Sequence, residues 1–446
     1  MTKIMDRLYQ LLWGMPMLVL ILGIGIWLTI STHWVQVRLF PAAVRRFLKR
    51  EAVCGGVSPF RALCTALAAT VGTGNLVGVA GAICLGGPGA VLWMLVFAFF
   101  GMAVKYAEAT LAVRFCQRDG DEIVGGPMYL IRSCLPKPWL PMAYVYGICG
   151  LFASFGVGNL TQVNAIVTSL QSISRAPLLS PGVIGPVLAG LVGFAFWRGA
   201  ESIGRIAEKV IPYAAGSYIL LCLVFLGCRA SLVPKAIHNI LVGAFSPKAI
   251  TGGLIGSALR AVQVGCSRGV FSHEAGMGTA SIAHASARVS HPVEQGMMGL
   301  MEVFLDTFVI CTMTALVILC SGIPIPYGVD AGAALTVSAF SSVYGRWGKG
   351  IVAVFLTVFA YATILGWSLY GLRCGQFVFG KRIAPGFFLM QTLAVALGAA
   401  LETPMVWKMA EIFNGLMAIP NLIALLFLTP ELQALTNSYT RENAHS

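Results

Sequence analysis

The sequence predicts an all-α, polytopic membrane protein with about eleven transmembrane helices. Two observations lead to this prediction: the composition and the spacing of the apolar segments. Of the 446 residues, 57% are hydrophobic and 11% are charged, and the mean hydropathy is +0.82. A soluble globular domain carries roughly 25% charged residues, so this chain has too few to cover a water-exposed surface. Helices are expected in lipid because they satisfy their backbone hydrogen bonds internally.

Apolar stretches of about 20 residues define the spans, because that length crosses the hydrocarbon core as a helix. The first stretch follows Lys3 and Arg7, but it is too long for a signal peptide and ends without a small-residue cleavage site. We therefore expect it to be a retained helix. The predicted spans cover residues 11–30, 62–85, 90–115, 142–170, 181–197, 211–226, 253–285, 296–319, 350–379, 384–401 and 412–428.

The positions of lysine and arginine predict the orientation, because basic loops are retained on the cytoplasmic side of a membrane. A basic cluster follows the first span and consists of Arg38, Arg45, Arg46, Lys49 and Arg50. We therefore expect the N-terminus outside, the C-terminus in the cytoplasm, and a multi-pass location in the cell (inner) membrane.

The net charge of +13 does not predict a nucleic-acid partner, because the basic residues are scattered between apolar segments rather than gathered on one face. The lipid bilayer is the predicted environment, and the sequence indicates no obligate protein partner. The twelve cysteines never occur as C-x-x-C, so neither a disulfide framework nor a bound metal is predicted. We expect no resident cofactor.

The spans after the first divide into two groups of five. This division predicts an extra N-terminal helix with a basic linker (1–57), a first repeat (58–228), a second repeat (229–430) and a cytoplasmic tail (431–446). An odd number of spans per repeat inverts the second repeat relative to the first. Inverted repeats with interrupted helices are typical of secondary transporters that bind their substrate near the membrane midplane.

Two glycine-rich interruptions open the two repeats, at 70–78 (TVGTGNLVG) and 265–278 (GCSRGVFSHEAGMG). Unwound backbone at membrane depth is tolerated where it is buried in protein or lines a cavity. In the first interruption, Thr73 and Asn75 add side chains able to bind a small zwitterion or a cation. The alternative is that the glycines permit close packing of helices.

The second interruption carries several polar residues that are expensive in an apolar span. Phe271 is the better candidate for the site, as an aromatic lid over a small ligand. His273 is either a hydrogen-bonded structural group or a proton relay. Arg268 and Glu274 have an alternative role, in which they neutralise each other at the cytoplasmic mouth.

Other spans contribute further candidates. Gln162 can bond a ligand or another helix. Thr363 and Trp367 lie four apart, hence on one helical face, and that face either lines a compact site or packs as an aromatic stripe. Glu302 and Asp306 are also four apart and would repel each other unless a cation or proton intervenes. We do not predict this carboxylate pair as the substrate site.

No metal-spaced histidine cluster, nucleophile elbow or pair of acids near a cleft is evident, so the sequence does not predict an enzyme. A channel is a further alternative, since broken helices also form filters. An occluding phenylalanine and tryptophan are not needed in such a channel. A secondary importer that works by alternating access is the favoured interpretation.

Several runs of residues carry a family likeness. They are ALAATVGTGN at 66–75, LGGPG at 85–89, KYAEATLAV at 105–113, GGPM at 125–128, RGVFSHEAG at 268–276 and ILGWSLYG at 364–371. In this order they resemble the alanine or glycine:cation symporter family, over about residues 58–428. The resemblance implies the LeuT-type fold of five plus five inverted spans, here with one extra N-terminal helix. It also implies sodium-driven or proton-driven uptake of alanine or glycine, in the L or D form.

The resemblance also implies roles for individual residues. The implied substrate contacts are Thr73, Gly74, Asn75, Gln162, Phe271, Thr363 and Trp367. The implied ligands of a co-transported Na+ are Thr70, Gly72, Ala362 and Thr363. Bulky aromatic walls opposite a crowded backbone agree with a substrate whose side chain is a hydrogen or a methyl group.

The chain departs from the family pattern at three positions: His273 replaces the usual asparagine, Ala362 a usual hydroxyl residue, and Leu372 a frequent acidic residue. Ala362 lies where this fold places hydroxyl ligands of sodium. Loss of one of roughly six oxygen ligands need not abolish sodium binding, so we expect sodium coupling. A further hypothesis is that His273 and Ala362 together shift the coupling toward protons or relax it.

Overall fold

The computed structural model describes residues 2–50, 56–120, 122–173, 176–253, 257–400 and 404–444. The described chain is helical almost throughout, which confirms the predicted all-α class. One short antiparallel hairpin was not expected from the sequence. Its strands are β1 (Gln117–Asp119) and β2 (Glu122–Val124).

The N-terminal region forms four helices before the first repeat. Two of them form the first apolar span and meet at Gly14, where a Cβ atom would lie 2.0 Å from the Gln10 carbonyl oxygen, so only glycine fits. A third and a fourth helix carry the basic cluster. The helices are α1 (Thr2–Trp13), α2 (Met15–Ser31), α3 (Val35–Arg38) and α4 (Phe40–Lys49).

The described residues of 58–228, the range predicted as the first repeat, contain eight α-helices and two π-helical segments. The helices are α5 (Pro59–Thr70), α6 (Val79–Gly86), α7 (Ala90–Arg114), α8 (Pro127–Cys134), α9 (Leu140–Phe155), α10 (Thr161–Ile173), α11 (Pro181–Trp197) and α12 (Ala200–Cys228). The π segments are Gly74–Gly78 and Gly156–Leu160. Such segments are frequent at functional sites.

The described residues of 229–430, the range predicted as the second repeat, contain ten α-helices and a third π segment, Phe304–Cys311. The helices are α13 (Val233–Phe245), α14 (Pro247–Thr251), α15 (Ala258–His273), α16 (Thr279–His284), α17 (Pro292–Val303), α18 (Thr312–Leu319), α19 (Gly332–Tyr344), α20 (Trp347–Phe379), α21 (Ala384–Gly398) and α22 (Pro404–Phe427). A last helix, α23 (Thr429–Ala444), follows this repeat.

Six helices in the described chain are long and apolar enough to cross a membrane. They are Arg7–Ser31, Ala90–Arg114, Lys137–Ile173, Glu201–Cys228, Pro292–Leu319 and Trp347–Phe379. Two bent pairs raise this number to eight. Helices α11 and α21 are shorter, with 17 and 15 residues. The total of eleven spans therefore stays a prediction, while the polytopic character is confirmed.

Helix α23 begins just before the region predicted as a cytoplasmic tail, and it packs on the bundle. The Tyr106 hydroxyl on α7 lies 2.8 Å from the Thr436 hydroxyl, and both side chains are buried. On the same face, Arg114 pairs with Glu431 at 3.0 Å. The C-terminal part of α7 thus contacts the C-terminal helix.

Candidate functional site

The first interruption is a break in the helix that leads from α5 to α6. Helix α5 ends at Thr70, and the helix that resumes at Gly74 is bent by 54° relative to it. The Asn75 side-chain oxygen accepts a hydrogen bond from the Gly72 N–H at 2.9 Å, which ties the unwound backbone to the resumed helix. A Cβ atom on Gly72 would lie 2.5 Å from the Thr363 hydroxyl oxygen. Glycine is therefore required here by space.

Side chains from α10 and α20 surround this first break. The Thr363 hydroxyl lies 3.0 Å from the Phe359 carbonyl oxygen and 3.5 Å from the Val71 carbonyl oxygen, so three oxygens meet there. The Gln162 amide donates to the Val157 carbonyl at 3.1 Å. Its side-chain oxygen is buried without a hydrogen-bond partner among the described residues, and it faces Gly72.

The second interruption is shorter than the sequence predicted. Its backbone leaves helical geometry at Glu274, with φ +53°, and positive φ angles recur at Gly276 and Gly278. Gly265 and Gly269 instead lie within α15. A Cβ atom on Gly265 would lie 2.3 Å from a carbonyl oxygen of α7, so this glycine serves helix packing. The prediction that unwinding starts at 265 was wrong, because a glycine in an apolar span can serve either helix unwinding or close helix packing, and Gly265 serves packing.

Neighbouring helices hold the second break in place. Glu108 on α7 accepts hydrogen bonds from the backbone N–H groups of Gly276 and Gly278, both at 3.0 Å. The same carboxylate oxygen accepts from Asn421 on α22 at 2.7 Å. These two residues were missed as site candidates, although a carboxylate within an apolar span was a usable signal for Glu108.

Glu274 points toward α20. It accepts hydrogen bonds from the Trp367 indole N–H at 3.1 Å and from the Thr279 hydroxyl at 2.6 Å. Arg268 pairs instead with Asp330 at 3.3 Å. The alternative in which Arg268 and Glu274 neutralise each other is therefore wrong, because the two side chains have different partners.

His273 caps the end of α15. Its Nδ1 atom accepts a hydrogen bond from the Ala275 N–H at 3.0 Å, and its ring lies against α7 at Gly101. This geometry is that of a structural group at the break. The proton-relay role remains a prediction.

Two aromatic side chains flank the breaks. Trp367 is completely buried and packs against Gly158, where a Cβ atom would lie 2.3 Å from the Trp367 Cβ atom. The Cδ1 atom of Phe271 lies 3.7 Å from the position that a Cβ atom on Gly74 would occupy. Its ring also contacts Trp13 of α1 edge to face, with centroids 6.2 Å apart. Residues from both interruptions and from α10 and α20 therefore meet around one region.

The Asn75 side chain is committed to contacts within the protein. Its amide oxygen caps Gly72, and its nitrogen donates to Asp306 at 2.6 Å and lies 3.2 Å from the Ser272 hydroxyl. Thr73 is buried in the break itself. The substrate contacts expected of these residues therefore stay predictions.

Two cavities flank the breaks on opposite ends of the broken helix. A cavity of about 200 Å³ adjoins the end of α6 and is lined by Trp13, Arg260, Arg268, Phe271 and Glu411, among others. A cavity of about 430 Å³ adjoins the start of α5 and includes Val57, Thr65, Gly204, Ser286 and Leu369 in its lining. Among the described residues, no group of three or more His, Cys, Asp or Glu side chains is arranged to hold a metal ion.

A bundle with two broken helices that meet between opposite cavities defines a secondary transporter. A family model described as the sodium:alanine symporter family matches residues 1–446. The chain belongs to this family and is a multi-pass membrane protein that acts as a cation-coupled amino-acid symporter.

Individual relatives agree with this assignment. An uncharacterized transporter of Haemophilus influenzae is 41% identical over 442 residues, which cover 98% of this chain and 96% of the relative. The sodium/alanine symporter AgcS of Methanococcus maripaludis is 40% identical over 436 residues, covering 96% and 95%. The crystal structure of MhsT in complex with L-phenylalanine has a TM-score of 0.57 at 16% identity, covering 84% of this chain and 90% of that one, and shows the fold alone.

Proposed function

We propose that the protein imports alanine, glycine or both, in the L or D form, together with Na+. One observation carries this proposal: the buried side-chain oxygen of Gln162 has no partner among the described residues and faces the unwound backbone at Gly72. A buried acceptor without a donor costs free energy, and an amino-acid ammonium group would supply that donor. The name of the relative AgcS supports both alanine and sodium.

The first break suits the two charged ends of an amino acid. The helix Gly74–Gly86 begins at the break, so its N-terminal N–H groups favour a carboxylate. We place the substrate carboxylate against the backbone of Thr73, Gly74 and Asn75. The ammonium group then lies toward Gln162 and the Thr363 hydroxyl.

The aromatic walls select for a small side chain. The Trp367 ring is held by Glu274 on one side and by Gly158 on the other, so it has little freedom to move away. Phe271 closes the opposite side, next to Gly74. A hydrogen or methyl side chain fits between them, while larger side chains require one wall to move.

The co-transported Na+ is proposed to bind on the α20 side of the first break. The hydroxyl of Thr363 and the carbonyl oxygens of Val71 and Phe359 converge there. Carbonyls at Thr70, Gly72 and Ala362 complete the proposed oxygen shell, since hard cations take oxygen ligands. Proton coupling is the alternative, because Ala362 brings no hydroxyl group to this site.

Alternating access assigns the two cavities to the two sides of the membrane. The basic cluster around Arg46 supports a cytoplasmic location for the start of α5, so we propose that the cavity beside Thr65 is the inner one. The cavity beside Phe271 then faces outside, and the N-terminus lies outside and the C-terminus inside. Phe271 stands between the outer cavity and the first break.

Uptake of labelled alanine into proteoliposomes tests this function. We expect saturable uptake that an inward Na+ gradient stimulates and that unlabelled alanine and glycine inhibit more strongly than leucine. Uptake driven by a pH gradient alone would support the proton alternative. Non-saturable flux would support a channel.

Gln162→Ala tests the observation that carries the proposal. Loss of a hydrogen bond to a charged group costs about 1.5 to 3 kcal/mol. We therefore expect the KM for alanine to rise by roughly ten- to hundredfold, since each 1.4 kcal/mol is about tenfold. Gln171→Ala on the same helix is the matched control and should leave the KM unchanged. An unchanged KM in both variants would remove Gln162 from the site.

A further inference from the structure

An apolar groove of about 210 Å³ runs between α4, α5, α12 and the π segment Phe304–Cys311. On the α5 side it is lined by Phe60, Cys64, Leu67 and Val71. These residues recur at intervals of three or four along the chain, so they form one continuous face of α5. The groove is thus separate from both cavities that flank the breaks.

Helix α12 forms the opposite wall of the groove. Pro212, Gly216 and Ile219 line the groove from one face of this helix. A Cβ atom on Gly216 would have open space around it, so the glycine leaves the groove wide at this point. Nearby on α12, Tyr213 is 81% exposed and Leu220 is 61% exposed. Exposed apolar side chains beside an apolar groove mark a surface that faces lipid.

The length of the groove matches one leaflet of a bilayer. At a rise of about 1.5 Å per residue, the stretch from Phe60 to Val71 is about 17 Å long. The hydrocarbon core of a bilayer is about 30 Å thick, so one leaflet is about 15 Å. The groove therefore has the length of an acyl-chain layer rather than that of a compact solute.

Arg50 lies at the end of the groove where α5 begins. Among the described residues that line the groove, it is the one with a charged side chain. Its Cζ atom lies 4.6 Å from the centroid of the Phe60 ring, so the guanidinium group stacks on the groove wall. Arg50 is exposed and forms no ion pair with another described residue. A guanidinium group in this position presents its N–H groups to a phosphate.

Further positive charge surrounds this end of the groove. Arg45 and Lys49 lie on α4, close to Arg50 in sequence, and both are exposed. Leu48 on the same helix is 70% exposed. A short helix that combines exposed bases with an exposed leucine is typical of a membrane surface, where the bases attract anionic lipids. The charges therefore favour an anionic headgroup over one without net charge.

We propose that the groove binds one anionic phospholipid, with an acyl chain between α5 and α12 and its phosphate on Arg50. Arg45 and Lys49 add attraction for the headgroup. The groove ends at Val71, whose carbonyl oxygen lies 3.5 Å from the Thr363 hydroxyl oxygen. The bound lipid therefore contacts the first break from the membrane side. This site does not depend on which amino acid or cation the protein carries.

Thermal unfolding of the delipidated, detergent-purified full chain tests the site. The added probes are phosphatidylglycerol, phosphatidylcholine with the same acyl chains, and inorganic phosphate alone. We expect phosphatidylglycerol to raise the melting temperature saturably, because a ligand of the folded state stabilises that state. Phosphatidylcholine should need about tenfold more lipid for half of the effect, because it offers the bases no net charge. Inorganic phosphate should have no effect.

Gly216→Leu tests the acyl-chain part of the site by filling the groove. Its Cβ position has open space around it, so the variant should fold. We expect it to lose the stabilisation at lipid concentrations that saturate native protein. Gly227→Leu is the matched control, since Gly227 lies on the same helix in open space but does not line the groove. The control should respond as native protein does.

Arg50→Gln tests the headgroup part of the site. We expect the half-saturating concentration of phosphatidylglycerol to rise by about tenfold or more, in line with the loss of a hydrogen bond to a charged group. Arg382→Gln, which replaces an exposed base that does not line the groove, is the matched control and should leave this concentration unchanged.

Each part of the proposal can be overturned separately. A native response of Gly216→Leu would remove the groove as the site, and a native half-saturating concentration in Arg50→Gln would remove the headgroup contact. Equal responses to the two lipids, a response to inorganic phosphate, or no response of native protein to phosphatidylglycerol would overturn the proposal as a whole. None of these measurements uses alanine or Na+, so a failure of the proposed function would leave this result unaffected.

Discussion

The two breaks are built in different ways. The first is capped from within, because Asn75 on its own helix holds the Gly72 N–H, and its backbone faces Gln162 and Thr363. The second is held from outside, because Glu108 on α7 and Asn421 on α22 bind its N–H and carbonyl groups. We propose from this comparison that the first break carries the ligands, while the second is braced by its neighbours and positions aromatic walls.

Helix α7, which braces the second break, also carries the buried ion pair of Lys105 with Glu302, and loss of this pair predicts the largest effect on stability. Glu302→Ala leaves Lys105 buried without its partner, one turn from Glu108, and should destabilise the protein by about 3 to 5 kcal/mol. Glu431→Ala is the matched control, since Glu431 also pairs with a base on α7, but at the exposed surface. Thermal unfolding in detergent measures both. Equal melting temperatures for the two variants would contradict the predicted cost of leaving Lys105 buried without its partner.

The proposed binding of ligands at the first break predicts the next largest effect, a loss of alanine uptake. Gly72→Ala places a Cβ atom 2.5 Å from the Thr363 hydroxyl oxygen and displaces the backbone of the site. We expect alanine uptake to fall by about tenfold or more, because small misplacements at a site are costly. Gly78→Ala, on the same broken helix with open space around it, should transport normally. Similar alanine uptake by the two variants would contradict the proposed role of the first break in binding the ligands.

A smaller effect, on substrate selectivity, is expected at Phe271, the proposed pocket wall next to the second break. Phe271→Ala widens the pocket beside Gly74, so larger amino acids should compete better against labelled alanine. A methyl-sized difference is worth about 1 to 3 kcal/mol, which is roughly ten- to hundredfold in relative inhibition. Phe245→Ala, on an exposed part of α13, is the control. Unaltered selectivity would remove Phe271 from the pocket.

The smallest effect concerns the hairpin outside the bundle. A hydrogen bond from Arg373 holds the pKa of the Glu122 carboxyl below its ordinary value. A depressed pKa contributes stability above the unfolded-state pKa of about 4.3, and this contribution is lost as the pH falls through the folded-state value. Because Glu122 is partly exposed, we expect less than about 1 kcal/mol. At pH 7 the native protein should melt at a higher temperature than Glu122→Gln. At pH 3 the melting temperatures of the two proteins should converge.

The sequence predicts the first break and its neighbours well because the signals are local. Glycines at 72 and 74, followed by Asn75, mark a break in an apolar span, and the structure places Gln162, Thr363 and Phe271 around it. The roles of these residues nonetheless stay predictions, since a contact within the protein does not identify a ligand.

Sequence reasoning could not find the partners that tertiary packing selects. Glu108 holds Gly276 from a helix far away in sequence, and Glu274 turns to Trp367 rather than to Arg268. The start of the second break was misplaced for the same reason, since Gly265 is required by a neighbouring helix. For Asp306, the sequence indicated only an unbalanced charge, and the structure added the oxygens around it.

A structure of the protein with bound alanine tests the central claim most directly. We predict that the amino acid lies at the first break, with its ammonium group within hydrogen-bonding distance of the Gln162 side-chain oxygen and its methyl group between Phe271 and Trp367. Alanine bound elsewhere, for example among Arg260 and Arg268 in the outer cavity with the first break empty, would contradict it.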